Sequence, residues 1–82
     1  MRNGRSGRQL ARLRAERRLT QRRLGELAGF RGRNQDVYIR GLESGRYPIS
    51  DSTVVKLCRA FGMKLEALER ELSDSGGTQR GT

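Results

Sequence analysis

Apolar residues in this chain recur at intervals of three and four in short blocks, each closed by a glycine or a polar turn. Nothing alternates with period two over more than a few residues, so the pattern specifies helices and no sheet. Ser6-x-x-Gln9 has capping-box spacing and opens a first helix to about Arg18, with Leu10 and Leu13 on one face and Arg14 and Arg17 continuing it. Thr20 offers an N-cap hydroxyl to a second helix through Ala28, whose stripe is Leu24, Leu27 and Ala28 and whose stop is Gly29. Asn34 or Gln35 begins a third helix ending at Ser44 before Gly45, and Arg46-Tyr47-Pro48 is a turn. Ser50 caps a fourth, Asp51 to about Phe61, where Val54, Leu57, Cys58 and Phe61 fall on one face before Gly62; Leu65, Leu68 and Leu72 mark a last helix. The expectation is all-α: a compact bundle of five short helices over residues 6–72. Residues 1–5 read as a flexible basic arm and 73–82 as a disordered polar tail.

The chain has 82 residues, enough for one small domain. Only 33% are apolar and Trp is absent, so the core is thin and a large substrate-engulfing enzyme is excluded. Eighteen Lys and Arg against 9 Asp and Glu give a net charge of +9, which makes a polyanion the default partner. Sixteen of those cations are Arg, whose planar fork favours phosphate or guanine over a diffuse ammonium field. No apolar run approaches the ~20 residues needed to cross a bilayer, so the expected location is cytoplasmic, with no membrane partner.

A single cysteine, Cys58, and no histidine leave no internal disulfide, no Cys/His zinc set and no histidine base. No cofactor or metal is expected, and Cys58 reads as a buried packing thiol. Glu66 and Glu69 read as a solvated helical ridge, and the aromatics Phe30, Tyr38, Tyr47 and Phe61 as ungrouped, which argues against a stacking platform for single strands.

The third helix divides into two faces. Ile39, Leu42 and Glu43 project together, while Val37, Arg40, Gly41 and Ser44 lie opposite. The second face suits a major groove: Arg40 can fork onto guanine, and Val37 can touch a thymine methyl. Gly41 weakens the helix by roughly 1 kcal/mol relative to Ala, either because something approaches closely there or as an ordinary weak spot. Glu43 on the inward face needs a partner, and Arg14 on the inward face of the first helix can supply it; the alternative is two partly exposed charges.

The string Leu13-Arg14-Ala15-Glu16-Arg17-Arg18-Leu19-Thr20-Gln21-Arg22-Arg23-Leu24, with Leu42-Glu43-Ser44-Gly45-Arg46 and Leu57-Cys58-Arg59-Ala60-Phe61-Gly62-Met63, resembles the helix-turn-helix domain of the lambda-repressor/Cro-like (XRE) regulators over about residues 8–72. The resemblance implies a five-helix domain with its third helix in the major groove of operator DNA. It also implies a phosphate contact at Gln21, a buried Arg14–Glu43 pair, and a phosphate-contacting turn at Gly45 and Arg46.

Three features depart from that pattern. About four extra residues, Arg31-Gly32-Arg33-Asn34, follow Gly29-Phe30; they either clamp DNA through Arg31 and Arg33 or form a disordered basic loop. Gly25 stands at a close helix crossing where Ala is commoner. Asp36 either caps the third helix, the favoured alternative, or accepts from cytosine N4. Base-reading candidates are Gln35, Asp36, Val37, Arg40 and Gly41; phosphate candidates are Gln21, Arg22, Arg31, Arg33, Asn34, Ser44 and Arg46; dimer candidates are Met63, Leu65, Leu68 and Leu72. The expected function is a non-enzymatic DNA-binding transcriptional regulator, a repressor acting as a homodimer on duplex DNA. The alternative is an interaction module, such as an antitoxin, whose basic helical surface holds a protein partner.

Overall fold

Helices form where the apolar spacing and the caps require them: α1 (Gly7–Glu16), α2 (Gln21–Ala28), α3 (Gln35–Ser44), α4 (Asp51–Phe61) and α5 (Leu65–Leu72). The computed structural model describes residues 4–73; the rest of the expected arm and nearly all of the tail lie outside the described residues. Ser6, Thr20 and Ser50 accept hydrogen bonds from the amides of Gln9, Arg23 and Thr53 at 3.2, 3.0 and 3.3 Å, each satisfying an amide that lacks an intrahelical partner. Helices α2, α3 and α4 end on Gly29, Gly45 and Gly62 in the left-handed region.

Helix α1 stops earlier than the expected Arg18. Arg18 itself takes φ 57°, unusual for a residue with a side chain. Its N–H donates to the Ala15 carbonyl (2.9 Å) and the Leu19 N–H to that of Arg14 (3.1 Å), closing α1 as a Schellman turn without glycine. That turn packs Leu19 against the core.

The buried centre is built from Leu10, Leu13, Leu24, Ala28, Ile39, Leu42, Ile49, Val54, Leu57, Leu68 and Leu72. Ile49, from the turn before α4, and Leu19 are contributions that helical spacing alone does not reveal. Two expected core residues are corrected: Leu27 and Cys58 are only half-buried, Cys58 packing on the core's edge. A third correction concerns the dimer candidates, since Leu68 and Leu72 are fully buried within the chain and present nothing to a second copy. Leu65 remains 49% exposed.

The two ends of the described chain are tied together. The Ser6 N–H donates to the Leu72 carbonyl (2.7 Å), and an isolated antiparallel bridge joins Arg5 to Ser73. Arg5 is therefore not part of a free arm: its Nε donates to Glu69 Oε1 (2.8 Å), Nη1 to the Ile49 carbonyl (2.9 Å) and Nη2 to Asp51 Oδ1 (2.8 Å). Glu69 is corrected with it, from solvated ridge to a half-buried anchor for Arg5, while Glu66 stays exposed. Hydrogen bonds from Arg5 lower the Glu69 pKa, and the same contacts raise that of Arg5.

Candidate nucleic-acid interface

Helix α3 is held by its inward face and free on the other. Ile39 and Leu42 are fully buried, whereas Val37 is 46% exposed and Arg40 and Ser44 face solvent. Packing of α3 against both α1 and α2 fixes that orientation. Gly41 departs from the expectation, because it is buried, and what approaches it is the ring of Tyr47: a Cβ at position 41 would overlap the ring's Cδ2–Cε2 edge. The turn after α3 folds back onto the helix to put it there. The Tyr47 N–H donates to the Gly41 carbonyl (3.1 Å), the Ser44 hydroxyl to the same oxygen (3.2 Å), and the Arg46 N–H to the Ser44 hydroxyl (3.4 Å). Gly41 is accordingly withdrawn as a base reader, and the Ser44 hydroxyl is engaged in shaping the turn.

The second anchor is polar. Arg14 Nε donates to Glu43 Oε2 at 2.5 Å and Nη2 to Oε1 at 3.2 Å; Gln21 Nε2 adds a third donor to Oε1 at 3.0 Å. The Glu43 side chain is 9% exposed and that of Arg14 20%. Arg14 Nη1 also donates to the Leu19 carbonyl (2.8 Å), tying the turn between α1 and α2 into the same network. One carboxylate thus gathers α1, the first residue of α2 and the end of α3, and with its lone pairs supplied its burial is compensated. The predicted Arg14–Glu43 pair is present; the Gln21 contact to it is additional.

At the start of α3, Gln35 turns away from the reading face. Its Nε2 donates to the Phe30 carbonyl (2.9 Å), and its Cβ lies 2.7 Å from where a Cβ on Gly25 would stand. Glycine at position 25 is what lets α2 and α3 cross this closely. Asn34, not Asp36, occupies the N-cap position, and its side chain makes no capping hydrogen bond. Asp36 lies in the first turn, where its charge complements the helix dipole, so the favoured capping role is corrected to a dipole contact.

Three of the four aromatics are grouped after all, Phe61 lying apart under Arg17. Phe30 meets Tyr38 edge-on at 4.9 Å between centroids, and Tyr38 stacks on Tyr47 at 5.6 Å, 28° from parallel. Lys56 Nζ lies 5.4 Å from the Phe30 centroid, and the Tyr38 hydroxyl is 3.4 Å from Thr53 Oγ1. The string carries structure from the α2–α3 connection, through Tyr38 of α3, to the turn beyond it. These rings come from a connection, a helix and a turn, so no helical period relates them.

The connection itself, Arg31 to Asn34, is exposed throughout. Arg31, Arg33, Arg40 and Arg46 make no ion pair among the described residues, so no described carboxylate neutralises them. Arg22 differs, lying 3.7 Å from Glu26 along α2. Burial and then the Glu69 charge raise the Cys58 pKa, the opposite of what activates a cysteine as a nucleophile. Among the described residues, no group of acidic or sulfur side chains could hold a metal ion, and no helix is long and apolar enough to cross a membrane.

No curated protein and no solved structure matches this chain. The helix-turn-helix domain family does, over residues 6–72, which takes in all five helices. Domains of this type bind DNA. With its locked inner face, its open outer face and that match across most of its length, the chain belongs to the helix-turn-helix domain family, of the Cro/C1 type.

Proposed function

We propose that this protein is a sequence-specific regulator of transcription, a repressor that binds as a homodimer to a two-fold operator with α3 in the major groove. The observation that carries the reading is the division of α3: one side fixed by Ile39, Leu42 and the Glu43 network, the other presenting the exposed Val37 and Arg40. Arg40 reads guanine, Val37 contacts a neighbouring base, and Asp36, beside its dipole contact, accepts from a cytosine amino group. Arg22, Arg31, Arg33, Asn34 and Arg46 hold the phosphates, and Gln21, its side chain engaged by Glu43, adds only its backbone amide at the α2 N-terminus. Two copies spaced about one helical turn apart, ~34 Å, would read two half-sites. With Leu68 and Leu72 withdrawn, Met63 and Leu65 remain as dimer contacts, joined by the 55%-exposed Val55.

Selection of binding sites from random duplex DNA by the purified protein at physiological salt tests this. Enrichment of an inverted repeat is the expected result. Arg40→Ala should then cost ~1–3 kcal/mol at the selected site and relax one base pair, whereas Arg46→Ala should weaken all sequences alike. Uniform losses for Arg40→Ala would remove its base-reading role. The exposed Val55 and Leu65 favour a second reading, a module whose apolar surface engages a different protein. Failure to enrich any sequence, with the protein folded, would transfer the weight to that reading.

A further inference from the structure

Where Tyr47 lies against Gly41 it does more than fill space. The ring, the bare backbone at Gly41 and the exposed Val37 form the apolar walls of a shallow recess on the solvent side of α3, with Arg40, Ser44 and Arg46 completing its lining. A side chain at position 41 would displace the Tyr47 ring that walls it. The recess is built: Tyr47 is 39% exposed but fixed by its backbone bond to Gly41 and by stacking on Tyr38, which is itself held between Phe30 and Thr53.

A small apolar hollow beside a guanidinium, on a helix face that enters the major groove, matches one chemical feature of duplex DNA. The only apolar group projecting from base edges into that groove is the methyl on pyrimidine C5, carried by thymine and by 5-methylcytosine. We infer that the Val37–Gly41–Tyr47 recess is a pyrimidine-methyl subsite, seating the C5 methyl of the base pair stacked beside the guanine that Arg40 reads. Tyr47 is thereby a specificity-determining residue supplied by the turn and not by the recognition helix. Base pairs stack ~3.4 Å apart along a strand, a separation that adjacent parts of one recess and its rim can span. Neither Arg40 nor Arg46 is drawn away by an ion pair within the described protein, so the rim is free to meet guanine and phosphate.

The inference rests on the DNA-reading function proposed above, and one experiment separates the two. The full chain is used to select a duplex site, and each thymine in that site is then replaced singly by deoxyuridine, which deletes only the methyl. One position, adjacent to the guanine whose recognition is lost in Arg40→Ala, should bind about fourfold more weakly, the equivalent of ~0.8 kcal/mol for one buried methyl. If that position is cytosine in a variant site, 5-methylcytosine should bind about fourfold more tightly than unmodified cytosine there, the same methyl increment. Tyr47→Ala should abolish the thymine-over-uracil preference and Tyr47→Phe should retain it. Should Tyr47→Ala unfold, Val37→Ser provides the same readout from an exposed position that the core does not use. Specific binding in which uracil replaces thymine everywhere without loss, or an undiminished preference in Val37→Ser, overturns the subsite. Absence of any selected site overturns the DNA-reading function beneath it.

Discussion

The pair Arg14–Glu43 is the point at which one substitution should disturb fold and interface together. Arg14→Met keeps the aliphatic stem but strands the Glu43 carboxylate, 9% exposed, with Gln21 as its remaining donor. Glu43→Leu strands the guanidinium, which keeps the Leu19 carbonyl and, at 20% exposure, some access to water. Breaking a fully buried pair costs ~3–5 kcal/mol, and the residual partners and partial exposure bring the expectation for either single change to about 2.5 kcal/mol. In the double variant no charge is stranded; only the Gln21 amide and the Leu19 carbonyl lose a partner, at about 1 kcal/mol each, so the total should be about 2. The coupling between the two sites is then about 3 kcal/mol, the upper end for residues in one network. A domain of this length has only ~4–12 kcal/mol in hand, and either single change should lower Tm by roughly 10–20 °C. Urea and thermal unfolding of the four proteins, followed by circular dichroism, measures the cycle. A coupling below about 0.5 kcal/mol would place the pair among ordinary surface ion pairs and refute its role as the anchor of α3.

Other outcomes follow from particular contacts. Hydrogen bonds from Arg5 lower the Glu69 pKa, so the folded state holds that proton less tightly than the unfolded chain. The resulting stability is present above the ordinary carboxylate value of 4.5 and is lost as pH falls through the lowered folded value. The difference in unfolding free energy between wild type and Glu69→Gln should therefore be at most about 1 kcal/mol at pH 7, given the solvent access of the carboxylate, and vanish in acid; a gap that widens on acidification would contradict the contact. Gly41→Ala should destabilise by about 1 kcal/mol, since overpacking against Tyr47, ~1–3 kcal/mol, outweighs the ~1 kcal/mol gained in helix propensity; a higher Tm would mean the ring is not seated there. Replacing both Arg31 and Arg33 by Ala should make log K against log salt shallower by about one unit per lost phosphate contact, and an unchanged slope would leave the loop outside the interface.

What the sequence makes legible follows from the range of the forces that act. Caps and stops are local, so Ser6, Thr20, Ser50, Gly29, Gly45 and Gly62 announce helix ends within a residue. The one early stop, at Arg18, escaped because a left-handed arginine violates the propensity that such reasoning uses; burial of Leu19 against the core offsets its cost, of order 1–2 kcal/mol. The inward face of α3 was readable because its period is intrinsic to the helix, and Glu43 stood out as a charge on that face. Gln21 as the third member of its network was not, since nothing in the spacing of residues 21 and 43 brings them together; the crossing of α2 over α3, permitted by Gly25, does. Arg5 and Glu69, 64 positions apart, likewise meet only through the packing of the chain's two ends.

Gly41 shows how a local signal can be detected correctly and assigned to the wrong neighbour. A glycine in mid-helix carries a propensity penalty of roughly 1 kcal/mol, and close approach was one of its two possible explanations. Two kinds of body could approach: a ligand from outside or a side chain of the same chain. The six-residue interval to Tyr47 contains Gly45, which reverses the chain, so a residue just after that turn is the one geometrically able to return over the preceding helical turns. Tyr47 is large enough to reach Gly41 and polar enough at its tip to stay partly in water. The close approach and the reading function are thus not alternatives. Because an internal ring takes the place of a side chain at position 41, the face of α3 gains an aromatic surface that no helical residue could present there, and its hold on Tyr38 and Phe30 makes the basic connection before α3 and the turn after it parts of one supported surface.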